Sequence, residues 1–268
     1  MNAPSTPAAG RLRVTVLGSS SSIPRPGRAC SGYLLEAAGR AVVADLGSGA
    51  LANLHRVRSS ESVDAVVISH MHADHFIDLI PMRYALKYGP RSHARKVALW
   101  LPPGGSVLLR GMTAAFISES DNDFMEEVFD VAEYDPQAGL YVGDLRVRFA
   151  PTEHFIPTFA TRYEFENASI TYSADTAPEP AVAELARETG LFLCEATLLP
   201  NERETGARGH LSAAEAATLA ERGEVRRLAL THYPAETDAT ELLAAASAGF
   251  SGESVVVDDV DAIEVAPN

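Results

Sequence analysis

Short apolar runs rich in valine, leucine and tyrosine recur along the chain. They predict strands over 13–17, 32–36, 41–45, 65–69, 97–101, 145–149, 160–165, 170–173, 191–195, 228–231 and 254–257. Between them, apolar residues at helical spacing predict helices over about 74–87, 107–117, 179–188, 213–222 and 239–248. In both halves of the chain the strands come first as hairpins and then alternate with helices. No proline-rich or charge-rich linker separates the halves, so the pattern predicts one α+β domain over 11–268, in which two mixed β-sheets pack face to face and helices cover their outer faces. Residues 1–10, rich in Ala, Pro and Ser, lack the basic start and apolar core of a secretory signal and read as a disordered tail.

Composition adjusts this picture only a little. A chain of 268 residues, 46% of them hydrophobic, buries a substantial core in the ordinary way. No apolar run approaches the roughly 20 residues that span a bilayer, so the expectation is a soluble cytoplasmic protein with no membrane partner. Lys plus Arg at 22 against Asp plus Glu at 36 leaves a net charge of −14, which repels nucleic acid at long range. The 2 cysteines, Cys30 and Cys194, have no paired spacing, so no disulfide framework is indicated. Cys194 closes an apolar run and reads as a buried small hydrophobe, while Cys30 lies in a loop and has no assigned role. The acidic segment 119–136, with Asp121, Asn122 and Asp123, reads as a solvated helix or loop, because its carboxylates do not follow calcium-loop spacing.

Chemistry concentrates where the strand at 65–69 ends. His70, His72, Asp74 and His75 follow it at once, in a chain with only 8 histidines. Alternation along an extended chain points His70, His72 and Asp74 to one side, and a helix starting near Asp74 swings His75 into the same space. One segment can thereby serve two adjacent metal ions. Imidazole nitrogen with carboxylate oxygen and no thiolate suits zinc, with manganese or iron as alternatives. Single polar residues also close other apolar runs: His154, Asp175, Glu195 and His232. Each alone is as good a surface residue. Together they complete a set in which His70, His72 and His154 hold one divalent ion, Asp74, His75 and His232 the second, and Asp175 bridges them. Such a centre polarises a substrate oxygen and makes a bridging hydroxide available at neutral pH, which points to hydrolysis.

Through His70-x-His72-x-Asp74-His75, the later His154, Asp175 in Ser173-Ala174-Asp175-Thr176, and His232 in Thr231-His232-Tyr233, nearly the whole chain resembles the metallo-β-lactamase superfamily. The resemblance implies a four-layer αββα sandwich and the metal assignment above. The Ser-x-Asp-Thr motif, the stretch from Gly209 through His210 and Ser212 to Ala217, Val16-Leu17-Gly18-Ser19 and Asp45-Leu46-Gly47-Ser48-Gly49 are most similar to the ribonuclease Z and phosphodiesterase branch. That branch implies that His210 contacts phosphate and protonates the leaving oxygen while Glu195 orients it, a pairing that an alkoxide leaving group needs. A plainer reading of His210 is a residue just before Ser212, the N-cap of the helix at 213–222. The two agree, since a helix start also binds phosphate. Asp74 is either a ligand alone or a ligand that also accepts a proton from the attacking water. Asp45 is expected to hydrogen-bond a ligand histidine.

The hydroxyl-rich loop 18–31 offers Ser20, Arg25 and Arg28 as substrate-binding candidates, and reads equally well as a flexible surface loop. Ribonuclease Z proper carries a tRNA-gripping arm between the positions of His154 and Asp175, whereas here residues 155–174 leave room for a turn and two strands. With the acidic charge, this disfavours tRNA and favours a small phosphodiester, a 3′,5′-cyclic nucleotide foremost. Actinobacterial-type cyclic-AMP phosphodiesterases look most similar. Phe155, Phe159 and Tyr233 are the nearest aromatic residues for a base, with core packing as their plainer role. The competing functions are a ribonuclease Z-like RNA 3′-end endonuclease, a lactone, ester or sulfate hydrolase on the same centre, and, least favoured, a non-enzymatic metal-binding module. A homodimer follows from the resemblance alone.

Overall fold

The computed structural model describes residues 10–89, 95–116, 124–199, 202 and 206–267. Most of the expected tail, the end of the helix expected at 107–117 and the first part of the acidic segment at 119–136 lie outside the described residues. The strands are β1 (Leu12–Gly18), β2 (Gly32–Ala37), β3 (Arg40–Leu46), β4 (Ala65–Val67), β5 (Val97–Leu101), β6 (Phe129–Glu133), β7 (Leu140–Val142), β8 (Leu145–Pro151), β9 (Phe159–Phe165), β10 (Ala168–Tyr172), β11 (Leu191–Glu195), β12 (Arg227–Thr231), β13 (Glu253–Val256) and β14 (Ala262–Val265). The helices are α1 (Ala50–Val57), α2 (Ala73–Phe76), α3 (Leu79–Tyr88), α4 (Gly105–Thr113), α5 (Pro180–Leu185), α6 (Ala213–Arg222) and α7 (Ala239–Ser247).

Two seven-stranded sheets form, in the orders β14-β1-β2-β3-β4-β5-β6 and β13-β12-β11-β10-β9-β8-β7. Both are mixed: β1, β2 and β3 pair antiparallel and β3 to β6 parallel, while β7 to β10 pair antiparallel and β10 to β13 parallel. Alternation along each strand divides its side chains between two apolar layers. In β3, Val42 and Ala44 enter the core between the sheets, whereas Ala41 and Val43 pack outward with Leu54 of α1, Met82 of α3 and Leu109 of α4. In β12, Ala229 faces the inter-sheet core, and Leu228 and Leu230 pack with Leu219 of α6 and Leu242 of α7. Strands buried on both faces read as continuous apolar runs, which is why the sequence signals them so clearly. The result is the expected αββα sandwich.

The expected helix at 74–87 is two helices. Pro81 lacks the N–H that a continuous helix would donate to Ile77, so it is tolerated only where α3 restarts within its first turn. The intervening Asp78 accepts the Leu51 N–H at 2.9 Å and donates its own N–H to Leu46, tying the break to the start of α1.

Candidate metal centre

The chain leaves the β4 ladder sooner than its apolar run suggests, because Asp45 captures the Ser69 N–H at 2.7 Å. His70 is thus released toward the sheet edge, and His72 becomes the extended residue before α2, whose single turn carries Asp74 and His75. From the second sheet come His154 in the β8–β9 connection, Asp175 after β10, Glu195 at the end of β11 and His232 just after β12. The structure brings all of these to one edge of the sandwich.

Two groups that share Asp175 result, His70, His72, His154 and Asp175, and Asp74, His75, Asp175 and His232, with the ligand-type atoms of each within 4.8 Å of one another; Asp45 with His70 and His75, and Glu195 with His210 and His232, gather as closely. Within the first, His72 Nδ1 lies 3.2 Å from His70 Nε2 and 3.0 Å from His154 Nε2. Asp175 faces both groups: its Oδ2 is 3.8 Å from His70 and from His154, and its Oδ1 is 3.3 Å from His75 and 3.5 Å from His232. Asp74 Oδ2 lies 3.3 Å from His75 Nε2 and 3.4 Å from His232 Nε2.

The outer nitrogens settle what these inner atoms are. His154 Nδ1 donates to the Gly209 carbonyl at 2.8 Å, and His75 Nδ1 donates to Asp45 at 2.7 Å. Ser69 Oγ spends its proton on Asp45, so it accepts from His70 Nδ1 at 3.0 Å. Thr197 Oγ1 donates to the His232 carbonyl and therefore accepts from His232 Nδ1 at 2.9 Å. With every Nδ1 of these four committed as a donor, each neutral ring turns an Nε2 lone pair inward. His75 Nε2 and Asp175 Oδ1 are moreover buried without a hydrogen-bond partner. Lone pairs gathered this closely repel unless a cation lies among them, so the donor set fits divalent metal ions.

The local electrostatics agree. Burial, followed by the neighbouring charge of His75, holds the His70 imidazole well below its ordinary pKa, and burial lowers His72 and His154 as well, favouring neutral, metal-ready rings. Burial would also lower His75, but the carboxylates of Asp175 and Asp45 win and draw positive charge to it. Asp175 stays well below the usual carboxylate range, against its burial, because His232 and His75 face it. The second group thus calls for positive charge. Three site positions, Asp45, Ala174 and His232, sit in the left-handed region at φ 55°, 51° and 51°.

Beside the two groups, Glu195 is fully buried and accepts the N–H groups of Thr176 at 2.7 Å and of Thr197 and Leu211 at 3.3 Å. It also accepts from His210 Nδ1 at 3.1 Å. A cleft of about 320 Å³ joins these parts, lined by Ser22, His72, Asp74, Asp175, Thr197, His210 and His232. Of the loop candidates, neither Ser20, Arg25 nor Arg28 lines it. Ser20 is buried and accepts from Arg25 Nε at 3.0 Å, Arg25 lies 4.9 Å over the Tyr233 ring, and Arg28 pairs with Asp258 and donates to Tyr233 Oη at 3.1 Å. Both arginines brace the residue that follows His232.

Sequence reasoning missed the anchors Ser69, Thr197, Gly209 and Tyr172, the last donating to Asp45 at 3.0 Å. Ser69, adjacent to His70, and Gly209, adjacent to His210, carried a positional signal. Cys30 and Cys194 are buried and free. Among the described residues, no helix is long and apolar enough to cross a membrane.

Comparison with known proteins agrees with this geometry. The pattern of the beta-lactamase superfamily domain matches residues 40–233. An uncharacterised protein of Mycobacterium tuberculosis is 33% identical over 252 residues, covering 92% of this chain and 91% of its own length. Ribonuclease Z of Mycobacterium marinum is 29% identical over 95% of this chain and 99% of its own. The crystal structure of the metallo-beta-lactamase fold protein YhfI from Bacillus subtilis superposes with a TM-score of 0.84 at 23% identity, covering 95% of this chain and 99% of that one, a likeness of fold. Similar folds occur in several branches of the family, and the likeness singles out none of them.

Proposed function

Because the chain belongs to the beta-lactamase superfamily and carries the ligand clusters of a metal-dependent hydrolase, we propose that it hydrolyses small phosphodiesters, a 3′,5′-cyclic nucleotide foremost. In this reading His70, His72, His154 and Asp175 hold one divalent ion, and Asp74, His75, His232 and Asp175 hold the other. Zinc suits the donor set best and manganese is the alternative. When bound, the ions supply Lewis acidity and make hydroxide available at neutral pH.

The observation that carries the phosphodiester assignment is the His210–Glu195 pair beside both clusters in one cleft. Glu195 holds the His210 Nδ1 proton, leaving Nε2 to carry a second proton in the imidazolium form. Transfer of that proton to the departing ribose oxygen, as the P–O bond breaks, yields an alcohol and a neutral His210. The buried carboxylate stabilises the charged ring before transfer. The start of α6, three residues beyond His210, adds a positive end suited to phosphate.

Three features support a small substrate over tRNA. The cleft is small, residues 155–174 are taken up by a loop and the β9–β10 hairpin, and the net charge is −14. The likeness to a ribonuclease Z makes RNA 3′-end cleavage the second reading. Turnover of 3′,5′- and 2′,3′-cyclic nucleotides, a tRNA precursor, a lactone and an aryl sulfate by the zinc and manganese forms tests both. The 3′,5′-cyclic nucleotides are expected to dominate. Dominance of the lactone or sulfate contradicts the phosphodiester reading, and dominance of the tRNA precursor replaces it with the second.

A further inference from the structure

Phe155 directly follows His154, yet it is 54% exposed, while Tyr233 is buried and Phe159 packs edge-on to Tyr134 in the inter-sheet core. Its ring is seated on the histidine cluster, with centroids 5.0 Å from His154 and 6.0 Å from His210. Among the described residues, no other exposed aromatic ring packs on a histidine of the site. Gly209 leaves room for this seat: a Cβ there would lie 2.4 Å from Phe155 Cε2, so a larger residue would displace the ring. The same glycine accepts the His154 Nδ1 hydrogen bond through its carbonyl. One residue therefore aligns a metal-site imidazole through its carbonyl and, lacking a Cβ, admits an apolar ring next to the group assigned to the leaving oxygen.

A single exposed apolar side chain on a protein surface calls for no explanation. A ring packed on His210, which itself lines the cleft, does, because it adds a broad apolar face beside the imidazoles of His72, His210 and His232. We propose that Phe155 is the specificity-determining residue of the site, a stacking platform for the nucleobase of the phosphodiester substrate. This rests on the phosphodiester reading and extends it from the phosphate to the base. Stacking is tolerant of base identity, since every base has a π face, so the platform selects nucleosidic over aliphatic diesters and discriminates weakly among bases.

Two measurements separate this inference from the reading beneath it. The first compares kcat/KM for 3′,5′-cyclic AMP with that for the same cyclic ribose phosphate lacking its base. Phe155→Ala is expected to lower this ratio about 5- to 100-fold, chiefly through KM on the nucleotide, and Phe155→Tyr to restore it. Equal loss on both substrates, or an unmoved ratio, overturns the proposal while leaving phosphodiester hydrolysis standing. The second needs no turnover. The chain has one tryptophan, Trp100, so Phe155→Trp adds a reporter at the rim. AMP is expected to quench its fluorescence beyond any effect on the wild type, and ribose 5-phosphate is not. Equal response to both ligands overturns the stacking role. Selective quenching by AMP in a protein that hydrolyses no phosphodiester supports the platform and refutes the proposed reaction instead.

Discussion

At the scale of single residues, the site was legible where chemistry is tied to residue type. Histidine and aspartate at strand ends announce metal affinity, and His70, His72, Asp74, His75, His154, Asp175 and His232 converge as their spacing suggested. The groups that orient them were not legible, because a serine or threonine hydroxyl and a glycine carbonyl carry no distinguishing signal until the fold aims them. Removing Asp175, whose two oxygens face both clusters, is expected to cost metal and activity together. His210→Ala is expected to retain both ions and lose turnover by about 10²- to 10⁴-fold, the usual scale for a general acid. Metal analysis beside kcat distinguishes the two variants, and ion loss from the His210 variant would refute its role as proton donor. Cys30, unassigned by sequence, is pushed up to about 12 by burial and then by the charge of Asp74. A raised thiol pKa means the unreactive protonated form persists through neutral and mildly alkaline pH. Neither cysteine of the native protein should therefore react with a thiol reagent at pH 8, whereas both should after denaturation.

At the scale of elements, the strands buried on both faces were the easiest to read, and three of the four edge strands the hardest. β6 and β14 alternate with Asp, Glu and half-exposed positions, and β7 has only three residues, so none presents a sustained apolar run. α1 was missed because only Ala50, Leu51 and Leu54 mark its buried face. In contrast, α6 begins and ends where its pattern predicted, and the reason is a complete capping box: Ser212 accepts from the Glu215 N–H, and the Glu215 carboxylate accepts from the Ser212 N–H at 3.0 Å. Ser212→Ala is expected to lower stability by about 1 kcal/mol. Because the same turn carries His210, it should also reduce turnover without loss of metal. Urea unfolding alongside metal analysis checks both effects, and a variant of unaltered stability would show that the cap contributes nothing.

At the scale of the whole molecule, neither sheet holds the site alone. The first supplies His70, His72, Asp74 and His75, and the second supplies His154, Asp175 and His232, with Glu195 and the loop bearing His210. The face-to-face packing was legible in the order of hairpins and βα alternation, but the pairing that brings residues 74 and 75 to residue 232 depends on contacts distant in sequence, which local periodicity does not encode. The two-ion assignment is accordingly a claim about the assembled sandwich. Its most direct test is to titrate the metal-depleted protein with zinc while following hydrolysis of 3′,5′-cyclic AMP. Activity is predicted to rise to a plateau at two equivalents of metal, one for each ligand cluster. A plateau reached at one equivalent, or hydrolysis independent of added metal, would contradict the account.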